Sequence, residues 1–175
     1  MAARPLTAGE TDLARRVFGT AIDYDKVRVH DTTFLPGLPP DTAMAPNGQL
    51  YMARLYKPDY ALGDLRDQHL FIHEMTHVWQ YQNKILHPIA AAADLSLRHK
   101  FNYGAAYAYC LEDGKDLLDY NMEQQACIVA DHFHALCMGD AEKCAALSEP
   151  LARFLENPCY ARRSRFFGSP RKPGD

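Results

Sequence analysis

No stretch of this 175-residue chain approaches the ~20 consecutive apolar residues of a bilayer-spanning helix, which excludes membrane insertion of that kind. Residues 1–16 also lack the apolar core, roughly 7–15 residues long, of a secretory signal. The chain therefore reads as made in the cytoplasm without a signal peptide, which leaves export by a route that needs none. There is no C-x-x-C pair, and the five cysteines (110, 127, 137, 144 and 159) fit neither a zinc ribbon nor a disulfide scaffold. They read as mostly reduced, buried thiols, following the burial habit of free cysteine. Positive charge is not in excess: Lys+Arg is 19 against 22 Asp+Glu, a net charge of −3 that excludes the electrostatic footprint of a nucleic-acid binder. No internal repeat or interdomain linker is visible. The length suits one domain, and 47% hydrophobic with 23% charged residues argues against disorder. We expect a single domain over 1–161, followed by a basic tail over 162–175 that carries Arg162, Arg163, Arg165, Arg171 and Lys172.

Thr7, with Glu10 three residues on, forms a capping-box signature before a helix with Leu13, Val17 and Phe18 on one face, and Gly19 ends it. Val27-Arg28-Val29-His30 alternates as a half-buried strand does, and 35–40 is a proline-rich loop. Asn47-Gly48 is a hairpin signal, so a small, mostly antiparallel sheet is expected here. From Leu62 onward the pattern is helical, with predicted helices at 64–82, 88–100, 116–138 and 141–156.

The segment that carries chemistry is LFIHEMTHVW, residues 70–79, which contains H-E-x-x-H. On a helix, residues four apart lie on one face, so His73 and His77 can share one Zn²⁺ at ~2.0–2.1 Å each. Glu74 is rotated by about 100° and lies beside them, where it can take a proton from water. The apolar flanks suit a buried metal helix. The competing reading, a core helix with two hydrogen-bonded histidines, leaves Glu74 without a partner in apolar company. His69 is on the same face, but three positions in a row along a straight helix cannot wrap one ion. A third ligand is better sought at Glu123 in YNMEQQA, where a carboxylate opens an otherwise apolar helix. Either zinc ligation or the helix dipole accounts for an acid at that place. Tyr103, Tyr107, Tyr109, His132 and His134 are the available donors for a developing oxyanion, though aromatic packing or a surface histidine explains each as well. Trp79 and Tyr81 read as core.

HEMTHVWQ followed by YNMEQQA, with LTAGETDLARRVFGTAIDYDKVRVH and APNGQLYM before them, resembles the zinc metallopeptidase modules associated with Vgr and Rhs proteins of bacterial type VI secretion. The resemblance spans roughly residues 6–135. It implies that His73, His77 and Glu123 are zinc ligands and Glu74 the catalytic base. It further implies an antibacterial effector acting in the periplasm of a rival cell on a peptide or protein substrate, with a Vgr spike and a cognate immunity protein as partners. The chain lacks the N-E-x-x-S-D pattern of thermolysin-like enzymes: Cys127, not an acid, stands four residues after Glu123. A carboxylate behind a zinc histidine must then come from elsewhere, with Asp131 and Asp119 in view. The expected architecture is α+β and zincin-like, a small N-terminal β portion packed on a mainly helical body. The alternatives to a peptidase are a non-catalytic zinc-stabilised structural or delivery module and a toxin that acts by binding its target.

Overall fold

The structure, a computed structural model, describes residues 3–85 and 107–161. The expected helix at 88–100, Tyr103 and the basic tail lie outside the described residues.

The described chain is α+β, with a three-stranded sheet and four α-helices. Strand β1 is Arg4–Pro5, helix α1 Ala8–Phe18, β2 Arg28–His30, β3 Leu50–Tyr51 and α2 Leu65–Gln82. Helices α3, Met122–Met138, and α4, Ala141–Glu156, complete it. The capping box at α1 is formed: Glu10 N–H donates to Thr7 Oγ1 at 3.0 Å, and Thr7 N–H to Glu10 Oε2 at 2.9 Å. Asp64 caps α2 by accepting from the backbone of Arg66 and Asp67, both at 2.9 Å.

Two expectations about elements are corrected. The sheet has the order β1-β2-β3, and only β1 and β2 are antiparallel; β2 and β3 run parallel, with Val29 opposite Leu50 and His30 opposite Tyr51. The Asn47-Gly48 turn does fold the chain back, but onto a single antiparallel bridge between Met44 and Tyr51. Gly48 has φ 77°, and a Cβ there would meet the Tyr81 ring at 2.7 Å, so glycine is required twice over. The predicted helix at 116–138 is broken. Leu117–Asp119 is a separate 3-10 turn, closed by its own capping box between Asp116 and Asp119. Asn121 then restarts the chain as the N-cap of α3, paired reciprocally with Gln124. Two competing caps within five residues stop one continuous helix from forming.

The core is one cluster that includes Phe18, Val29, Leu50, Phe71, Ile72, Met75, Trp79, Ile128, Leu147 and Phe154. Phe154 takes Phe18 and Trp79 edge-on, at centroid distances of 6.0 and 5.1 Å. Helix α2 runs through the middle: every residue from Phe71 to Gln80 is buried. Its polar residues therefore face protein, and each needs a partner.

The cysteines depart from expectation. None is bridged, and none is fully buried: Cys127, Cys144 and Cys159 are half-buried, while Cys110 and Cys137 are exposed. Cys137 sits in the last turn of α3 between exposed Leu136 and Met138, where the helix runs out past the core. Trp79 is core, as expected, with its indole N–H donating to the Pro158 carbonyl at 2.8 Å. Tyr81 is not: it is half exposed, lying over the Gly48 turn near the end of α2.

Candidate metal centre

Helices α2 and α3 pack antiparallel along a polar seam. His69, His73, His77 and Gln80 on α2 face Asp131, Cys127, Glu123 and Gln125 on α3, in that order. At the middle of the seam, His73, His77 and Glu123 are all buried, and one ligand atom from each lies within 4.8 Å of the others. The sequence expected these three side chains together, and the structure brings them together.

Both imidazoles address one carboxylate oxygen. Glu123 Oε2 is 3.3 Å from His73 Nε2 and 3.4 Å from His77 Nε2. These separations are long for a charge-assisted hydrogen bond. They match the spacing of about 3.3–3.4 Å that a tetrahedral ion with ligands at ~2.0–2.1 Å imposes on neighbouring donor atoms.

The tautomer of His77 follows from backbone groups. Gln80 Nε2 donates to the Met122 carbonyl and to Gln125 Oε1, both at 3.0 Å, while Gln125 Nε2 donates to the Tyr120 carbonyl at 2.8 Å. Two carbonyls thus fix both amides, and Gln80 Oε1 is left facing His77 Nδ1 at 2.8 Å. Nδ1 must carry a hydrogen, and Nε2 is left facing the carboxylate oxygen. A positive charge between these two atoms, whether a metal ion or a second proton on the ring, satisfies both. The donor set and its spacing both suit a divalent ion, and two histidines with a glutamate form one of the catalytic zinc sets.

Glu74 is only 3% exposed, and its Oε2 has no hydrogen-bond partner among the described residues. It follows His73 directly in a helix where the other buried polar side chains are engaged. Thr76, for example, donates to the Ile72 carbonyl at 2.9 Å. An unpaired buried carboxylate oxygen costs stability unless something else uses it.

No family model matches the chain. The type VI secretion system spike protein VgrG2b of Pseudomonas aeruginosa is 46% identical over 134 residues, which are 75% of this chain. The match spans 13% of that protein's length. The solved effector domain of Pseudomonas aeruginosa VgrG2b superposes with a TM-score of 0.70 at 40% identity, over 86% of this chain and 83% of that one. The chain belongs to the VgrG2b effector-domain family. That membership bears out the resemblance to Vgr-associated effector modules read from the sequence.

In this member of the VgrG2b effector-domain family, the remaining expected residues fall around the donor group. His69 is not part of it; its Nε2 pairs with Asp131 Oδ1 at 2.9 Å, and its ring meets His134 edge-on at 5.9 Å. Asp131 also accepts from the Tyr109 hydroxyl at 2.6 Å. Burial pushes the Asp131 carboxyl up, but the hydrogen bonds from His69 and Tyr109, with Lys143 beside them, outweigh it and hold the group down at about 2. Neither Asp131 nor Asp119 stands behind a donor histidine: Asp119 caps its own turn, and Gln80 and Cys127 take the two Nδ1 positions. Burial, with Glu123 and Asp131 adding to it, pushes the Cys127 thiol up to about 12. Tyr107 lies over His73 with ring centroids 5.9 Å apart. His132 Nε2 is 3.3 Å from the Ser148 hydroxyl, turned away toward α4. Sequence reasoning missed the Gln80–Gln125 pair, which carried a weak signal: two amides at positions that the helix periods of α2 and α3 turn inward.

Proposed function

We propose that this chain is a zinc metallopeptidase effector with a zincin-like fold, delivered through type VI secretion. His73, His77 and Glu123 are its zinc ligands, and Glu74 is the general base for hydrolysis of a peptide bond. The observation that carries the reading is buried Glu74, one residue from His73, whose Oε2 has no hydrogen-bond partner among the described residues. Zinc held by the three donors supplies a Lewis-acidic charge that acidifies water and polarises a carbonyl.

The chain's own residues do the rest. Gln80 holds the His77 ring with its Nε2 lone pair facing inward. The buried walls of α2 and α3 exclude bulk water, which strengthens every charge in the site. Glu74 takes a proton from the attacking water on Oε2 and passes it to the departing amine, so no covalent bond to the protein forms.

Family membership supports delivery with a Vgr spike, since VgrG2b is a spike protein and this chain matches its effector domain. The same reading has the chain act in the periplasm of a rival cell on a peptide or protein substrate, with a cognate immunity protein in the producer. The shared core of the described elements supports one domain over 1–161.

The test is expression of the chain in a susceptible bacterium, with and without a periplasm-directing leader, as wild type and as Glu74→Ala. Growth arrest is expected only for the periplasmic wild type, with Glu74→Ala protein retaining zinc by elemental analysis. A Glu74→Ala variant as toxic as the wild type overturns the peptidase reading in favour of a binding toxin.

A further inference from the structure

The two donor histidines are braced from behind by unequal partners. His77 Nδ1 donates to Gln80 Oε1 at 2.8 Å, and Gln80 is itself locked by the Met122 carbonyl and Gln125. Behind His73 Nδ1, by contrast, stands Cys127 Sγ at 3.9 Å. A thiol sulfur is a weak acceptor, whereas an amide or carboxylate oxygen is a strong one. The partner behind a metal-ligating histidine fixes its tautomer, its ring orientation and its basicity. Cys127 is not a fourth ligand: its sulfur addresses Nδ1, whereas the converging donors are Nε2 atoms and Glu123. It lies one turn beyond Glu123 on the same face of α3, where a longer polar side chain reaches the same nitrogen.

We infer that position 127 is the place behind His73 from which its ring can be braced, and that the native thiol there, a weak acceptor, leaves His73 the looser of the two imidazole arms. The side chain at position 127 therefore sets how tightly the centre holds its ion. This rests on the metal reading proposed above.

The experiment measures zinc affinity of the full chain by competition with a chromophoric chelator. Ring-nitrogen NMR of the zinc-loaded protein follows each histidine Nδ1–H. Cys127→Asn is expected to tighten zinc by about tenfold, and Cys127→Asp to do the same despite carboxylates one turn away on both sides. Cys127→Ala should stay within about threefold of wild type, while Gln80→Ala loosens zinc by about ten- to a hundredfold. The His77 Nδ1–H signal should be sharp in wild type, and that of His73 should sharpen only in the Asn or Asp variant. A merely structural role for Cys127 leaves that signal unmoved. The inference is overturned if Cys127→Ala costs as much as Gln80→Ala. It is also overturned if both polar variants fold, by the unfolding midpoint of their zinc-free forms, and leave affinity and the His73 signal unchanged. Wild-type protein that takes up no zinc overturns the metal reading itself. Stoichiometric zinc with indifferent variants overturns this inference alone.

Discussion

Glu10 and Glu74 are both glutamates on helices and both shut away from solvent, at 0% and 3% exposure. Glu10 has every oxygen occupied: Arg4 donates twice at 2.7 Å, and the backbone N–H groups of Thr7 and Tyr60 donate at 2.9 and 3.0 Å. It ties β1, the start of α1 and the turn at Tyr60 into one corner. Glu74, in the middle of α2, keeps an oxygen with no hydrogen-bond partner among the described residues. A buried carboxylate with all its partners is a strut, while one with a spare lone pair has what the proposed mechanism asks of a base. Burial alone does not separate the two; the census of partners does.

That contrast can be broken by paired substitutions. The largest effect is expected from Glu74→Gln in a peptidase or toxicity assay, a loss of roughly a hundredfold to ten-thousandfold, with the unfolding midpoint unchanged or raised. Glu10→Gln should do the reverse. Denaturant unfolding should show a loss of about 3–5 kcal/mol from one broken member of a buried pair, with zinc affinity of the folded fraction unchanged. If the two substitutions swap these signatures, the assignment of strut and base is wrong.

A smaller effect sharpens the comparison at Asp131, a carboxylate between the two extremes, half-buried and fully engaged. Its folded value near 2 lies below the ordinary 3.8, so its contribution to stability is present above about pH 4 and is lost as pH falls toward 2. Asp131→Asn should cost about 1–2 kcal/mol at neutral pH and flatten the acid limb of the stability curve, read by unfolding at a series of pH values.

Much of the site was legible because its grammar is local. The i, i+4 spacing of His73 and His77 needs only a helix, and Glu74 is their neighbour in sequence. Glu123 was legible as an acid out of place on an apolar helix. Caps were legible for the same reason at Thr7 and Glu10. What was hidden depends on partners far along the chain. Nothing in Arg28–His30 says that Leu50 runs parallel to it, since strand direction is set by the route of the intervening loop. The link between His69 and Asp131 joins residues 62 apart in sequence. The break at residue 120 was legible in principle, because Asp116 with Asp119 and Asn121 with Gln124 are two capping pairs in succession. Leu117, Leu118, Tyr120 and Met122, scattered through both, kept up an apolar pattern and masked it.

The lone tryptophan of the chain, Trp79, falls two residues past His77, fully buried, with its indole tied to Pro158 and the Phe154 ring perpendicular to its own. The protein therefore carries an intrinsic optical gauge at the far end of the helix that bears His73 and His77. Its emission is single-sourced, so any loosening of that helix registers as a red shift without a label.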